Sequence, residues 1–159
     1  MENEVKEIGK TDVLILMGSS SDMPVMEKAA AQLQEFGLSS EIVVSSAHRN
    51  PDRTAQIARE AQDRGVKVII AGAGMAAALP GVVAAHTSLP VIGVPCASGP
   101  LNGFDSLLSI VQMPPGIPVA CVAINGAKNA GVLAAQIIAI GDPEVAAKVA
   151  EFRRKQSAA

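Results

Sequence analysis

Two kinds of apolar spacing alternate along this chain. Short solid apolar runs are each followed by a stretch in which apolar residues recur at helical spacing. Residues 12–17 (DVLILM) form the first run, and a run this short without alternation predicts a strand buried on both faces. Residues 18–22 make a loop. Over 24–36, Met26, Ala29, Ala30, Leu33 and Phe36 fall on one helical face, and Gly37 ends the helix. The couple repeats: strand 40–45, then helix 51–64, opened by Asn50 as N-cap with Pro51 at the first helical position. Strand 66–71 precedes helix 79–85, strand 89–94 precedes helix 104–111, and strand 118–124 precedes helix 127–140. An amphipathic helix over 143–155 closes the pattern. Residues 1–11 read as a polar arm and 12–159 as one domain, with no internal repeat or linker.

Apolar strands each followed by a helix predict a parallel sheet with helices on both faces. Right-handed crossovers make this a three-layer, doubly wound α/β domain of five strands, for which we take the order 2-1-3-4-5. Helix 127–140 is apolar nearly all round. Such a helix must be buried on more than one side, which in a domain this small predicts a homo-oligomer.

Composition narrows the function classes. Of 159 residues, 49% are apolar and there is no Trp or Tyr, so the chain is globular rather than disordered. A net charge of −2, no basic run and few stacking aromatics argue against nucleic acid. The start MENEVKEIGK lacks the apolar core of a signal peptide, and no apolar stretch reaches membrane-spanning length. The expectation is a soluble cytoplasmic protein, with no membrane. Cys96 and Cys121 are far apart in sequence with no visible activator, which predicts small buried hydrophobes in a reducing compartment.

In open α/β sheets, ligands bind outside the carboxyl ends of the strands. The loops there read GSSSD (18–22), SSAHRNP (45–51), GAGMAAALPG (72–81) and PCASGPLNG (95–103). Ser19, Ser21 and Asp22 precede a helix start, where hydroxyls and backbone N–H groups suit a phosphate or ribose, or simply cap the helix. His48 sits at a strand end, where catalytic groups collect, beside Arg49, whose guanidinium can hold a phosphate or carboxylate bidentately. The third loop carries no polar side chain across Ala73, Gly74, Met75, Ala76, Ala77 and Ala78. It is either close packing or a small dry pocket whose donors are backbone amides. His86, near the end of the following helix, is placed at the surface or in an interface.

Together GSSSDMPVM, SSAHRNPD, GAGMAAALPG and LNGFDSLLSIVQMPPGIPVACVAINGAKNAGVLAAQI resemble the PurE family, the N5-carboxyaminoimidazole ribonucleotide mutases of purine (IMP) biosynthesis. The resemblance runs over about 12–141. It implies a flavodoxin-like fold, a homo-octamer, and transfer of a carboxylate from the exocyclic nitrogen of an aminoimidazole ribonucleotide to ring carbon C4, with no metal, biotin, ATP or other cofactor. By resemblance His48 is the proton shuttle. Ser19, Ser21, Asp22 and Arg49 match positions binding the ribose phosphate or ribose. Ser46, Ala47, Ala73, Gly74, Ala76, Ala77 and Leu79 match positions lining the substrate. The family's usual partner is a separate ATP-dependent synthetase that makes the unstable carbamate. This chain departs in the third loop, where the mutases read GAGGAAHLPG: Met75 replaces a Gly and Ala78 a His, so no role for a second loop histidine carries over.

Two other functions compete. A related branch carboxylates aminoimidazole ribonucleotide with free CO2, but typically carries Lys where this chain has Arg49. A non-catalytic binding module is the third reading. Its flavin-carrying form lacks a Trp or Tyr to cover the flavin ring, and its phospho-acceptor form lacks the acidic cluster that holds Mg²⁺.

Overall fold

The computed structural model describes residues 10–158; residues 1–9 of the polar arm lie outside them. Thr11, assigned to the arm by its polarity, is buried at the foot of the sheet. The chain order is β1 (Val13–Met17), α1 (Met23–Glu35), β2 (Ser40–Val44), α2 (Pro51–Glu60), β3 (Val68–Gly74), α3 (Leu79–Ala85), β4 (Val91–Cys96), α4 (Phe104–Val111), β5 (Ala120–Cys121), α5 (Ala127–Ala139) and α6 (Pro143–Ser157). The strands form one five-stranded sheet, order β2-β1-β3-β4-β5, parallel throughout.

The solid apolar runs become central strands for the expected reason. In β1, Val13, Ile15 and Met17 face a core shared with α1, α5 and α6, while Leu14 and Leu16 face another shared with α2, α3 and α4. Every β1 side chain is fully buried, and each such Leu or Ile contributes roughly 1.5–3 kcal/mol. The edge strands differ. β2 is only half-buried. β5 shrinks from the expected 118–124 to Ala120–Cys121, because an edge strand has one neighbour and Pro118 has no N–H to donate. β3 runs to Gly74, three residues past the expected end, since its small residues pair with β4 as far as Gly74↔Cys96. Gly72 lies in this extension directly beneath the Met26 thioether, where a methyl group would collide.

Helix α2 stops at Glu60, and a 3₁₀ turn at Gln62–Arg64 leads into Gly65 with φ 85°. Helix α5 corrects an expectation. Its additional apolar flanks meet α1 and α6 of the same chain, with Val132, Leu133 and Ile137 packed on the core. Most of its apolar surround is therefore covered within the chain, and Ile140 at its end is left 87% exposed. The exposed apolar stripe lies instead on α4, where Phe104, Leu108 and Val111 are 59%, 45% and 46% exposed. No helix among the described residues is long and apolar enough to cross a membrane.

Candidate active site

The loops after β1, β2, β3 and β4 meet at the carboxyl edge of the sheet, where the strand order reverses between β1 and β3. They enclose a cleft of about 570 Å³.

The first wall is the loop after β1. Ser19 caps the 3₁₀ turn Ser20–Asp22: its Oγ accepts from the Ser21 amide at 3.3 Å and the Ser21 hydroxyl at 2.9 Å. Asp22 precedes α1 but makes no capping hydrogen bond with its side chain. The purely local explanation therefore holds for Ser19 and not for Asp22. Only 8% of Asp22 is exposed, and burial raises its carboxyl above the ordinary aspartate value, against a smaller opposing effect of the Ser19 backbone.

The second wall carries the imidazole. Ser45 N donates to the Met17 carbonyl, so β1 fixes the end of β2. The Ser45 hydroxyl meets that of buried Thr54 at 2.8 Å, and Thr54 Oγ1 also donates to the Asn50 carbonyl at 3.0 Å. Asn50 Oδ1 accepts from the Arg53 amide and caps α2, with Pro51 behind it. Ser46 accepts from the Asn50 and Arg49 amides, through its carbonyl and its hydroxyl respectively. This tight turn presents His48 and Arg49 to the cleft. Arg49 Nη2 donates to the Gly18 carbonyl at 3.1 Å. The His48 ring hydrogen-bonds to none of the described residues, leaving both nitrogens available.

The back wall is apolar: Ala73 and Gly74 at the end of β3, then Met75, Ala76, Ala77 and Leu79. The turn is left-handed at Met75 (φ 53°) and Ala77 (φ 36°). Gly74 is required because a methyl there would collide with the Ser98 hydroxyl of the loop after β4.

All the site residues read from the sequence line this one cleft: His48, Ser19, Ser21, Asp22, Ser46, Ala47, Arg49, Ala73, Gly74, Ala76, Ala77 and Leu79. Gly18, Met75 and Ser98 line it as well. The sequence reading passed over Ser98 because the 95–103 loop has no charged residue to draw attention.

The AIR carboxylase family profile matches residues 12–159. The chain belongs to the AIR carboxylase family. It is 61% identical over 141 residues to the N5-carboxyaminoimidazole ribonucleotide mutase of Thermotoga maritima, covering 89% of this chain and 82% of that one. The Vibrio cholerae protein of the same name is 59% identical, covering 90% of each. A crystal structure of Treponema denticola PurE superposes with a TM-score of 0.83 at 36% identity, covering 91% of this chain and 90% of that one.

Cys96, Cys121 and His86 of this family member do not line the cleft. Burial and the nearby Asp22 carboxylate push the Cys96 thiol up to about 12, so it is no thiolate nucleophile at neutral pH. Cys121, expected to be buried, is half-buried on the short edge strand, and burial raises its thiol too. His86 is absent from the cleft, and its Nδ1 lies 3.3 Å from Arg59 Nη2. Among the described residues no three His, Cys, Asp or Glu side chains group as a metal site.

Proposed function

We propose that the protein is an N5-carboxyaminoimidazole ribonucleotide mutase, an isomerase of de novo purine biosynthesis. The observation carrying this reading is the cleft itself: one unbonded imidazole, one guanidinium and one buried carboxylate facing an apolar alanine–glycine wall. The names of relatives at 56–61% identity support it.

The reaction is an internal exchange. The N–C bond of the carbamate breaks, CO2 departs, and the nitrogen takes a proton. C4 of the electron-rich aminoimidazole then attacks the CO2 carbon, and the C4 proton leaves. The carboxylate has moved from nitrogen to carbon and one proton has moved back, so atoms and electrons balance without a co-substrate.

His48 supplies the proton at nitrogen and recovers it from C4. A single group serves both steps because the second regenerates what the first consumed. Arg49 holds the phosphate end with the donors left free by its Gly18 contact. Asp22 accepts ribose hydroxyls, and Ser19 and Ser21 complete the polar end. Ala73, Gly74, Ala76 and Ala77 keep water from the released CO2, with Ser46, Ala47 and Leu79 flanking the ring.

We also take the enzyme to be a cytoplasmic homo-octamer, with the α4 stripe as one subunit contact, supplied by an ATP-dependent synthetase that makes the carbamate. The decisive assay gives purified enzyme the N-carboxylated ribonucleotide without ATP and follows the C4-carboxylated product. Faster product formation from free aminoimidazole ribonucleotide and CO2 overturns the mutase assignment in favour of direct carboxylation. Binding of the ribonucleotide with no turnover leaves a non-catalytic module.

A further inference from the structure

We propose that Met75 is a substrate-contacting cover that closes the apolar end of the cleft and sets how well released CO2 is retained. The proposal rests on the mutase reading and adds a residue to it.

Met75 is held at φ 53°, a left-handed conformation that disfavours any side chain with a Cβ. Burial offsets little of this: Met75 is 56% exposed, and its thioether makes no hydrogen bond to any described residue. Such placement at a cleft wall points to a contact that forms only when the site is filled.

The surroundings show which way that contact runs. A methyl group at Gly99 would sit 3.6–3.9 Å from Cγ, Cε and Sδ of Met75, so the side chain lies along Gly99. It thus spans the gap between the loops after β3 and β4. Just below it, Gly74 and Ser98 pack too closely to admit another atom. The two loops are closed together at Gly74, and Met75 is a flexible flap above that seam. A thioether suits this place. It is apolar toward CO2, polarizable toward a flat heteroaromatic ring, and unbranched enough to rearrange when substrate enters.

Met75→Gly separates this role from a structural one. Removing the left-handed Cβ relieves backbone strain, so the variant should melt at or above the temperature of the wild type. Its KM should rise roughly tenfold or more, the usual consequence of losing an apolar contact in a binding pocket. With a ¹³C-carboxylated substrate in unlabelled bicarbonate, its product should lose label that wild-type product keeps. Met75→Leu should restore both. Unchanged KM and label in Met75→Gly overturn the proposal, as does a change of oligomeric mass with unchanged kinetics, which assigns Met75 to a subunit contact. Should the wild type not turn over the carbamate, the mutase reading falls. The cover is then judged by direct binding: a weaker Kd for aminoimidazole ribonucleotide in Met75→Gly keeps it, and an equal Kd removes it.

Discussion

Arg49 reaches back across the cleft and donates from Nη2 to the carbonyl oxygen of Gly18, 3.1 Å away. This bond ties the loop after β2 to the loop after β1 and leaves the other guanidinium N–H groups for a ligand in the cleft that Arg49 lines. Arg49→Ala therefore loses an anion contact and a loop tie together. A hydrogen bond to a charged group contributes about 1.5–3 kcal/mol, so KM should rise roughly ten- to a hundredfold with a smaller change in kcat. Arg49→Lys should recover little, because a point-charge ammonium cannot make both contacts. Steady-state kinetics on the three proteins decide it, and an unchanged KM removes Arg49 from the phosphate.

His48→Asn tests the shuttle. The ring is exposed and has no hydrogen bond to any described residue, so fold stability should move by no more than about 0.5 kcal/mol. The kcat should fall by roughly 10² to 10⁴, while calorimetric binding of the ribonucleotide stays within a few-fold. Near-normal turnover means that some other group moves the proton.

The Ser45–Thr54 hydroxyl pair (2.8 Å) is the buried brace beneath His48. Thr54→Val keeps the shape but strands the buried Ser45 hydroxyl and removes one of the two donors to the part-buried Asn50 carbonyl. Leaving such groups unpaired costs about 1–3 kcal/mol, to be read from urea denaturation. Because the same turn aims the imidazole, kcat should drop more than KM rises, and Thr54→Ser should rescue both. Full activity in a destabilised Thr54→Val would confine the brace to folding.

Much of this architecture is legible in the sequence because a central parallel strand has no polar face: VLILM can lie in few other places. The site was legible for a related reason, as its polar residues cluster at strand ends. What escaped lacks charge or depends on tertiary packing. The small residues of 72–74 read as loop, yet β4 pairs with them to Gly74. The apolar surround of α5 looked like a subunit contact until α6 folded back onto it. Met75 stands out in the sequence only as a residue in place of the family's Gly, and its φ of 53° shows the backbone conformation that a Gly there would adopt without strain. The α4 stripe was hidden because FDSLLSIV turns Ser106 and Ile110 inward and leaves Phe104, Leu108 and Val111 outside, which side-chain polarity alone does not indicate.

That stripe makes its own prediction. Phe104 and Leu108 are one helical turn apart and exposed, and an apolar patch of this kind marks an interaction surface. Light scattering should find wild-type protein as an assembly, and Phe104→Asp with Leu108→Asp should lower its mass. Circular dichroism should be unchanged, since neither side chain is buried within the chain. A monomeric wild type removes the oligomer altogether.

Asp22 sets stability against binding. Burial raises its carboxyl in the folded chain, so protonated Asp22 is better accommodated there than ionised Asp22. The stability contributed by this group is fully present below the ordinary aspartate value of about 4, and is lost as pH rises through the higher folded value. Once ionised, the carboxylate thus weakens the fold. Asp22→Asn should resist urea better than wild type at pH 7, and the difference should close on acidification through the ordinary aspartate range. Affinity should go the other way: an amide offers one acceptor and no charge to the ribose hydroxyls, so the ribonucleotide should bind roughly ten- to a hundredfold more weakly. Urea midpoints across pH, paired with calorimetric Kd values, measure both halves. A variant less stable than wild type at pH 7 would show that the carboxylate supports the fold, and unchanged affinity would take Asp22 out of the ribose site.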